Sequence, residues 1–169
     1  MISSAYVRLL GLSNIAIIAL TVAVGYRLLL PEAQQAGASY EPGERVTSIA
    51  TRDLERAPRT LLISVKSSCP HCIDSLPFYR QLVADARRER ADVHIAAVTF
   101  EPVKVCEEFL KAHGVTFDAI LQPGIADPKL MVVPDLLLVG PDGVVLRHWR
   151  GALSKQGQRD VSRALSDRF

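Results

Sequence analysis

The sequence predicts an α/β fold in which a mixed central sheet is covered by helices on both faces. Strand patterns alternate with helical patterns over the first part of the folded region, which predicts a right-handed strand–helix–strand unit with parallel strands. Farther along, two apolar runs flank Gly140-Pro141-Asp142-Gly143, and Pro-Asp-Gly is typical of the turn of an antiparallel hairpin. The predicted order of elements is therefore β-α-β-α-(β)-β-β-α.

The spacing of apolar residues identifies the individual segments. Pro77 lies inside the first long helix and is expected to kink it or to end its first segment. Gly114 is the expected C-cap of the second long helix. The predicted segments, in order, are a short helix within 45–56, a strand at 61–66, a helix at 70–90, a strand at 92–100, a helix at 102–113, a short strand at 115–121, one helical turn at 126–130, hairpin strands at 134–139 and 144–149, and an amphipathic helix at 154–169.

Composition and charge exclude several classes of protein. The 169 residues carry a formal net charge of +2, and the cluster Arg87, Arg88 and Arg90 is surrounded by acidic residues. No basic patch typical of nucleic-acid binding is present, so no nucleic-acid partner is expected. The chain has three cysteines, and an odd number argues against a scaffold held together by disulfides.

The N-terminal region has the pattern of a membrane segment. Residues 9–26 contain no charged side chain, and this run approaches the length that a bilayer requires. Arg8 favours a cytoplasmic N-terminus, which predicts a signal anchor at residues 1–30 that contacts lipid through residues 9–30. The competing interpretation is a cleaved signal peptide, since Ala36-Gly37-Ala38 resembles a cleavage site. Residues 31–44 are then a flexible tether, 45–169 form the folded domain, and both interpretations place that domain outside the cytoplasm.

The strongest chemical signal is Cys69-Pro70-His71-Cys72, which directly follows the predicted strand at 61–66. Pro70 favours the first turn of a helix, whose free N–H groups and positive dipole end stabilise a thiolate. Cys69 is therefore the expected nucleophile, Cys72 the resolving thiol one turn deeper, and His71 a group that stabilises the Cys69 thiolate. The alternatives for the pair are a structural disulfide or half of a metal site.

These motifs together resemble the thioredoxin fold, and the wider pattern resembles the membrane-anchored TlpA/ResA-type subgroup over residues 46–169. The resemblance is carried by the CxxC at a helix start, by Pro77, by the additional helix and strand between Val103 and Leu121, and by Val133-Pro134 ahead of the hairpin. The dipeptide inside the CxxC also resembles that of DsbA, a strong oxidant.

The resemblance implies a function and a set of partners. It implies that Pro134 is a cis proline, that Val133 and Pro134 form the substrate platform, and that a substrate strand adds to the main chain there. The implied enzyme is a protein thiol–disulfide oxidoreductase of the inner membrane, single-pass, with its domain on the periplasmic side. Its partners would be cysteine-containing exported proteins, such as apocytochromes, and a membrane redox partner. It needs no cofactor besides the Cys69–Cys72 disulfide, and no metal site is assigned.

The chain departs from the resemblance at three positions. Ser67-Ser68 replace the aromatic residue that usually precedes the first cysteine, Ser75 replaces a glutamate three residues after the second, and Ile63 replaces the buried acid of thioredoxins. The sequence therefore assigns no proton acceptor to Cys72. Two other functions stay open at this point, namely a membrane-tethered Cu(I) or Zn(II) metallochaperone and an inactive docking module.

The remaining cysteine and histidines have weaker signals. Cys106 is expected to be a small half-buried residue, with a second redox thiol as the alternative. His94 is expected in the core or on the strand surface, and His113 and His148 are expected at the surface. None of these histidines has the spacing of a metal site relative to the others.

Overall fold

The computed structural model describes residues 39–124 and 127–167. Four helices and five strands form within these ranges. The strands are β1 (Thr60–Ser64), β2 (His94–Val98), β3 (Ala119–Leu121), β4 (Asp135–Val139) and β5 (Val145–Arg150), and the helices are α1 (Thr51–Leu54), α2 (Pro70–Glu89), α3 (Val103–Ala112) and α4 (Lys155–Ser166). The chain order after α1 is the one that the sequence predicts.

The strands form one mixed sheet in the order β3-β2-β1-β4-β5. β1 is parallel to β2, and β2 is parallel to β3. β4 is antiparallel to both of its neighbours, with Ser64 opposite Asp135 at one end of the β1–β4 pair. The predicted parallel unit and the predicted hairpin are both confirmed. The register brings the end of β1 and the start of β4 to the same edge of the sheet.

Both faces of the sheet are buried, and successive residues of β1 point to opposite faces. Leu61 and Ile63 belong to a core that also contains side chains of α2, α3 and α4. Leu62 belongs to a second core with Tyr40 and Leu137. The three long helices therefore share one face, whereas α1 and the segment before it contact the other. Two right-handed crossovers that advance in the same direction across a sheet place their helices on the same side, which explains this division.

The sequence predicts that Pro77 kinks α2 or ends its first segment, and the second alternative is not observed, because α2 continues through Pro77 to Glu89. Pro77 lies on the exposed side of the helix and removes only one backbone donor, and the bonds of the surrounding turns are retained. The helix ends instead at Arg90, which adopts a left-handed conformation with φ 51°. The N–H of Arg90 donates to the Arg87 carbonyl at 3.3 Å and completes the last turn.

The segment before α1 packs on the domain. Tyr40 is buried, the N–H of Gly43 donates to the Val145 carbonyl at 2.8 Å, and Arg45 forms an isolated bridge with Val144. Residues 39–44 of the predicted tether therefore belong to the folded domain, because an aromatic ring and backbone pairing hold them to the edge of the sheet. The helix predicted within 45–56 is limited to the single turn of α1, because the start of this range, at Arg45, pairs with Val144 in an extended conformation.

Two predictions concern parts of the chain beyond these ranges. The predicted anchor at residues 1–30 lies outside the described residues. Within residues 39–124 and 127–167, no helix is long and apolar enough to cross a membrane. The helical turn predicted at 126–130 includes an undescribed residue, and residues 128–130 form a turn.

Candidate active site

The dithiol lies at the junction of β1 and α2. Val65 donates its N–H to the Val98 carbonyl at 2.9 Å and so extends the parallel pairing just beyond the last residue of β1. The chain then turns, with the N–H of Cys69 donating to the Lys66 carbonyl at 3.1 Å. Pro70 occupies the first helical position, where its missing N–H breaks no helical bond. A rigid central strand therefore delivers both cysteines to the opening turn of α2.

Cys69 is the N-cap of α2 and is partly exposed. Its Sγ accepts the N–H of Cys72 at 3.3 Å, and its carbonyl accepts the N–H of Ile73 at 3.1 Å. Backbone donors at a helix N-terminus stabilise negative charge, so this sulfur is placed where a thiolate is favoured. The geometry agrees with the predicted nucleophile.

Cys72 lies one turn deeper and is fully buried. Burial, and to a smaller extent a hydrogen bond with Cys69, raise the pKa of its thiol to about 12. Cys72 is therefore neutral at neutral pH in the reduced protein, in which all three cysteines are free. One exposed sulfur at a helix N-terminus and one buried neutral thiol behind it match the two roles that disulfide exchange requires.

The predicted substrate platform lies against the dithiol. The peptide bond between Val133 and Pro134 is cis, as the resemblance implies. Cys69 Sγ lies 3.7 Å from the Val133 carbonyl oxygen, which accepts the thiol hydrogen. His71, between the two cysteines, is exposed at the start of α2. The structure thus brings Cys69, Cys72, Val133 and Pro134 together, while a catalytic role of His71 stays a prediction.

Sequence reasoning missed Glu101, which follows β2. Its carboxylate accepts the backbone N–H of Ser67 at 2.7 Å and the Ser67 hydroxyl at 2.8 Å. Its carbonyl accepts from the Gln122 amide at 2.7 Å, which fixes the residue from the other side. Glu101 therefore holds the turn that precedes Cys69. Acidic residues are common in loops that follow a strand, so the sequence around Glu101 does not single it out. Its role is visible because the structure places its loop against the turn that contains Ser67.

Cys106 is buried in α3, deeper than the half-buried position that the sequence predicts. Burial raises the pKa of its thiol, a hydrogen bond with Thr99 opposes that shift, and the charge of Glu101 adds to it. Cys106 is therefore a neutral thiol without access to solvent. These properties are those of a small core residue.

His148 is not a surface residue, so that prediction is wrong. Its side chain is only 9% exposed, and its Nε2 lies 2.8 and 2.9 Å from the two carboxyl oxygens of Asp135, whose side chain is 1% exposed. β5 is the edge strand of the sheet. The N-terminal segment covers this part of β5, with the Tyr40 carbonyl 2.9 Å from His148 Nδ1.

We expect Asp135 to give the folded protein an unusual pH dependence. Burial raises the pKa of Asp135 to about 6 although His148 and Arg150 oppose the shift, so the folded state binds this proton more tightly than the unfolded chain does. The stabilisation from this group is complete below about pH 4 and is lost as the pH rises through about 6, by roughly 3 kcal/mol in total. In urea unfolding, the stability of wild type relative to Asp135→Asn should fall by this amount between pH 4 and 7.

The matched control for that measurement is Asp142→Asn. Asp142 is an exposed acid, with a side chain 56% exposed, in the turn between β4 and β5. Its substitution should leave the pH dependence of stability parallel to that of wild type. Parallel curves for Asp135→Asn as well would contradict the raised pKa.

In the part of the chain that the structure describes, no group of three or more His, Cys, Asp or Glu residues could hold a metal ion. His94 is largely buried at the start of β2, where its Nδ1 lies 3.8 Å from an Asp118 carboxyl oxygen. This agrees with the prediction of a core or strand position.

The similarity of this chain to known proteins lies in the fold. No protein-family model and no curated protein sequence matches the chain. Among solved structures, a protein from Chlorobium tepidum named as thiol:disulfide interchange protein DsbE superposes with a TM-score of 0.57 and 18% identity, over 74% of this chain and 95% of that one. A second Chlorobium tepidum structure, a thiol:disulfide interchange protein named as a thioredoxin family protein, has a TM-score of 0.52 and 13% identity, over 78% and 100% of the two chains.

A third structure extends the comparison to a distant bacterium. A secreted disulfide oxidoreductase of Mycobacterium tuberculosis, described as homologous to Escherichia coli DsbE, has a TM-score of 0.50 and 16% identity, over 68% of this chain and 84% of that one. At these identities the likeness concerns the fold and not the activity. The mixed five-stranded sheet, the CxxC at the start of α2 and the likeness to these structures together show that this chain has the thioredoxin fold.

Proposed function

We propose that this chain is a thiol–disulfide oxidoreductase that exchanges disulfides with protein substrates through Cys69 and Cys72. The observation that carries the proposal is the asymmetry of the two sulfurs. Cys69 Sγ is partly exposed and accepts a backbone N–H at the start of α2, whereas Cys72 is fully buried, with a pKa raised to about 12. A structural disulfide or a metal site needs no such difference between its two sulfurs.

The chemistry follows from this asymmetry. The Cys69 thiolate attacks a substrate disulfide and forms a mixed disulfide, while the departing substrate sulfur takes up a proton. Cys72 then loses its proton and attacks the Cys69 sulfur, which releases the second substrate sulfur as a thiol. The substrate disulfide gains two electrons and the dithiol becomes the Cys69–Cys72 disulfide. The reverse sequence oxidises a substrate dithiol.

Val133 and Pro134 are proposed to receive the substrate chain. The Val133 carbonyl lies 3.7 Å from Cys69 Sγ, so a polypeptide that pairs with the main chain there would carry its cysteine to the nucleophile. We also propose that His71 stabilises the Cys69 thiolate, because it lies two residues after Cys69 and is exposed on the opening turn of α2.

The location and partners are proposed from the sequence. The apolar run at residues 9–26 supports an anchor in the inner membrane, with secretion after signal cleavage as the alternative. A domain outside the cytoplasm would meet cysteine-containing exported proteins and would need a membrane partner to restore its redox state. Two of the solved structures that share the fold are named as thiol:disulfide interchange proteins, which supports the proposed exchange chemistry.

A redox titration of the full chain tests the proposed function. The protein is equilibrated with glutathione buffers, and its thiols are then alkylated and mapped by mass spectrometry. We expect one two-electron transition that removes the Cys69 and Cys72 thiols together and leaves Cys106 reduced, because Cys106 is buried. A potential near about −120 mV identifies an oxidant, and one below about −250 mV identifies a reductant.

Cys106→Ala is the matched control for the titration, since it removes the third thiol and should leave the transition unchanged. A protein in which Cys69 and Cys72 form no disulfide at any potential would contradict the proposal. So would a disulfide that forms but exchanges with no thiol.

A further inference from the structure

A buried polar network lies directly behind the proposed substrate platform. Asp135 is the first residue of β4 and follows Val133 and Pro134 in the chain. Its side chain is 1% exposed, and both of its carboxyl oxygens are within 2.9 Å of Nε2 of His148 on β5. Removing a carboxyl group and an imidazole from water is costly unless they satisfy one another. Their burial at this position therefore requires an explanation.

The hydrogen-bond partners of His148 determine that its Nδ1 carries a hydrogen. Nδ1 lies 2.9 Å from the Tyr40 carbonyl oxygen and 3.0 Å from the Ser39 hydroxyl. A carbonyl oxygen only accepts, so Nδ1 carries a hydrogen and donates it to Tyr40. Nε2 and the Asp135 carboxyl group then share a single proton, as imidazolium and carboxylate or as imidazole and carboxylic acid. In both forms the pair is neutral overall, and its hydrogen bond links β4, β5 and the N-terminal segment.

Val133 and Pro134, the two residues before Asp135, connect the network to the dithiol. The Pro134 carbonyl accepts the N–H of Gly151, at the end of β5, at 2.9 Å. The Val133 carbonyl oxygen lies 3.7 Å from Cys69 Sγ. The platform is thus held to β5 twice, by a main-chain bond at Pro134 and by the side-chain pair at Asp135. A shift of β4 relative to β5 would move the Val133 carbonyl relative to the sulfur.

We propose that His148 and Asp135 are positioning residues, which hold Val133 and Pro134 in register with Cys69 so that an extended polypeptide disulfide docks with its sulfur in line for attack. This inference rests on the proposed function. The partner it concerns is a peptide chain and not a small disulfide, because only a chain needs the main-chain groups of the platform. Misplacing a docked reactant by about 1 Å lowers a rate by up to about 100-fold.

The other polar groups around Asp135 come from three elements. Arg150 is its register partner on β5, and Ser64 is opposite it on β1 with a buried hydroxyl that has no hydrogen-bond partner among the described residues. Tyr79 of α2 feels the charge of Asp135 but hydrogen-bonds elsewhere. Among these groups His148 alone forms a hydrogen bond with the carboxyl group, so its substitution isolates the pair.

The test compares three reagents on the reduced full-length protein. Iodoacetamide reports the intrinsic reactivity of Cys69, hydroxyethyl disulfide reports exchange with a small molecule, and a synthetic disulfide-linked peptide with apolar residues beside its cysteine reports docking. We expect His148→Ala to slow exchange with the peptide by about 10- to 100-fold, while both small reagents react within twofold of wild type. His113→Ala is the matched control, since His113 is exposed at the end of α3, and it should change none of the three rates.

Two conservative variants distinguish the hydrogen bond of His148 with Asp135 from its hydrogen bond with Tyr40. They also keep the test valid should the alanine variant unfold. The amide of glutamine can replace Nε2–H toward Asp135, whereas the amide of asparagine can replace Nδ1–H toward Tyr40. We expect His148→Gln to recover peptide exchange better than His148→Asn does, because the hydrogen bond with Asp135 leads to the platform.

The outcomes distinguish the two proposals. Equal slowing of all three reagents, or unchanged peptide exchange in both alanine and asparagine variants, would overturn the positioning role and leave the oxidoreductase proposal standing. A wild-type protein that reacts with iodoacetamide but with neither disulfide would overturn the proposed function itself.

Discussion

Replacing Cys69 by serine is expected to lower disulfide exchange by more than about 10³-fold, since a serine hydroxyl is not ionised near neutral pH and does not attack disulfides. Cys72 cannot substitute for it, because it is fully buried and its pKa is raised to about 12. The rate is measured with the full chain and a fluorescent peptide disulfide. The fold should be retained, since Cys69 is partly exposed and its side chain accepts only the N–H of Cys72.

Cys72→Ser is the informative companion. Cys69 would still attack, but no second thiol could resolve the product, so a mixed disulfide between Cys69 and the substrate should accumulate and be visible by non-reducing electrophoresis. Cys106→Ser removes the remaining thiol and should leave the rate of exchange close to that of wild type. Exchange that survives in Cys69→Ser, or an adduct mapped to Cys106 in Cys72→Ser, would show that Cys69 is not the nucleophile.

Truncating Leu137 should strongly lower the stability of the fold. Leu137 is 0% exposed in β4, where it packs in the second core with Leu62 and Tyr40. Leu137→Ala removes buried apolar atoms from a central strand that cannot collapse around the cavity, and we expect the free energy of unfolding to fall by about 2–5 kcal/mol. Urea denaturation with circular dichroism measures this change.

Leu146→Ala provides a matched control on the neighbouring strand β5. Leu146 is 39% exposed, so the same truncation there should lower the free energy of unfolding by less than about 1 kcal/mol. Similar losses for both variants would mean that the second core contributes no more than the surface of β5. That result would contradict the division of the sheet into two buried faces.

The sequence was sufficient for the elements and their order. The apolar run before Cys69 predicts β1, Pro70 predicts the start of α2, and Gly140-Pro141-Asp142-Gly143 predicts the hairpin, and all three are observed. Each is specified locally, by turn chemistry or by the period of apolar residues. Pro77 does not end α2, because a proline on the exposed side of a long helix is tolerated when the helix packs along its other face.

The sequence also identified the residues of the candidate site but not the residues that hold them in place. Cys69, Cys72 and Val133-Pro134 stand in recognisable motifs, and the structure brings them together. Glu101, Asp135 and His148 stand in no motif. Glu101 meets Ser67 across 34 positions of sequence, and Asp135 meets His148 through the pairing of two strands. Contacts between residues so far apart in the chain leave no local pattern in the sequence.

The amino-acid sequence by itself therefore determined where the two cysteines stand relative to the helix, because the CxxC and the helix start that accompanies it lie within a few consecutive residues. Only the tertiary structure decided that the side chain of His148 is buried, because its exposure depends on the segment around Tyr40, which packs against β5. It also decided which thiol is buried and neutral and which carboxyl group binds its proton tightly. Burial raises the pKa of Cys72 to about 12 and that of Asp135 to about 6, and burial depends on contacts between distant parts of the chain.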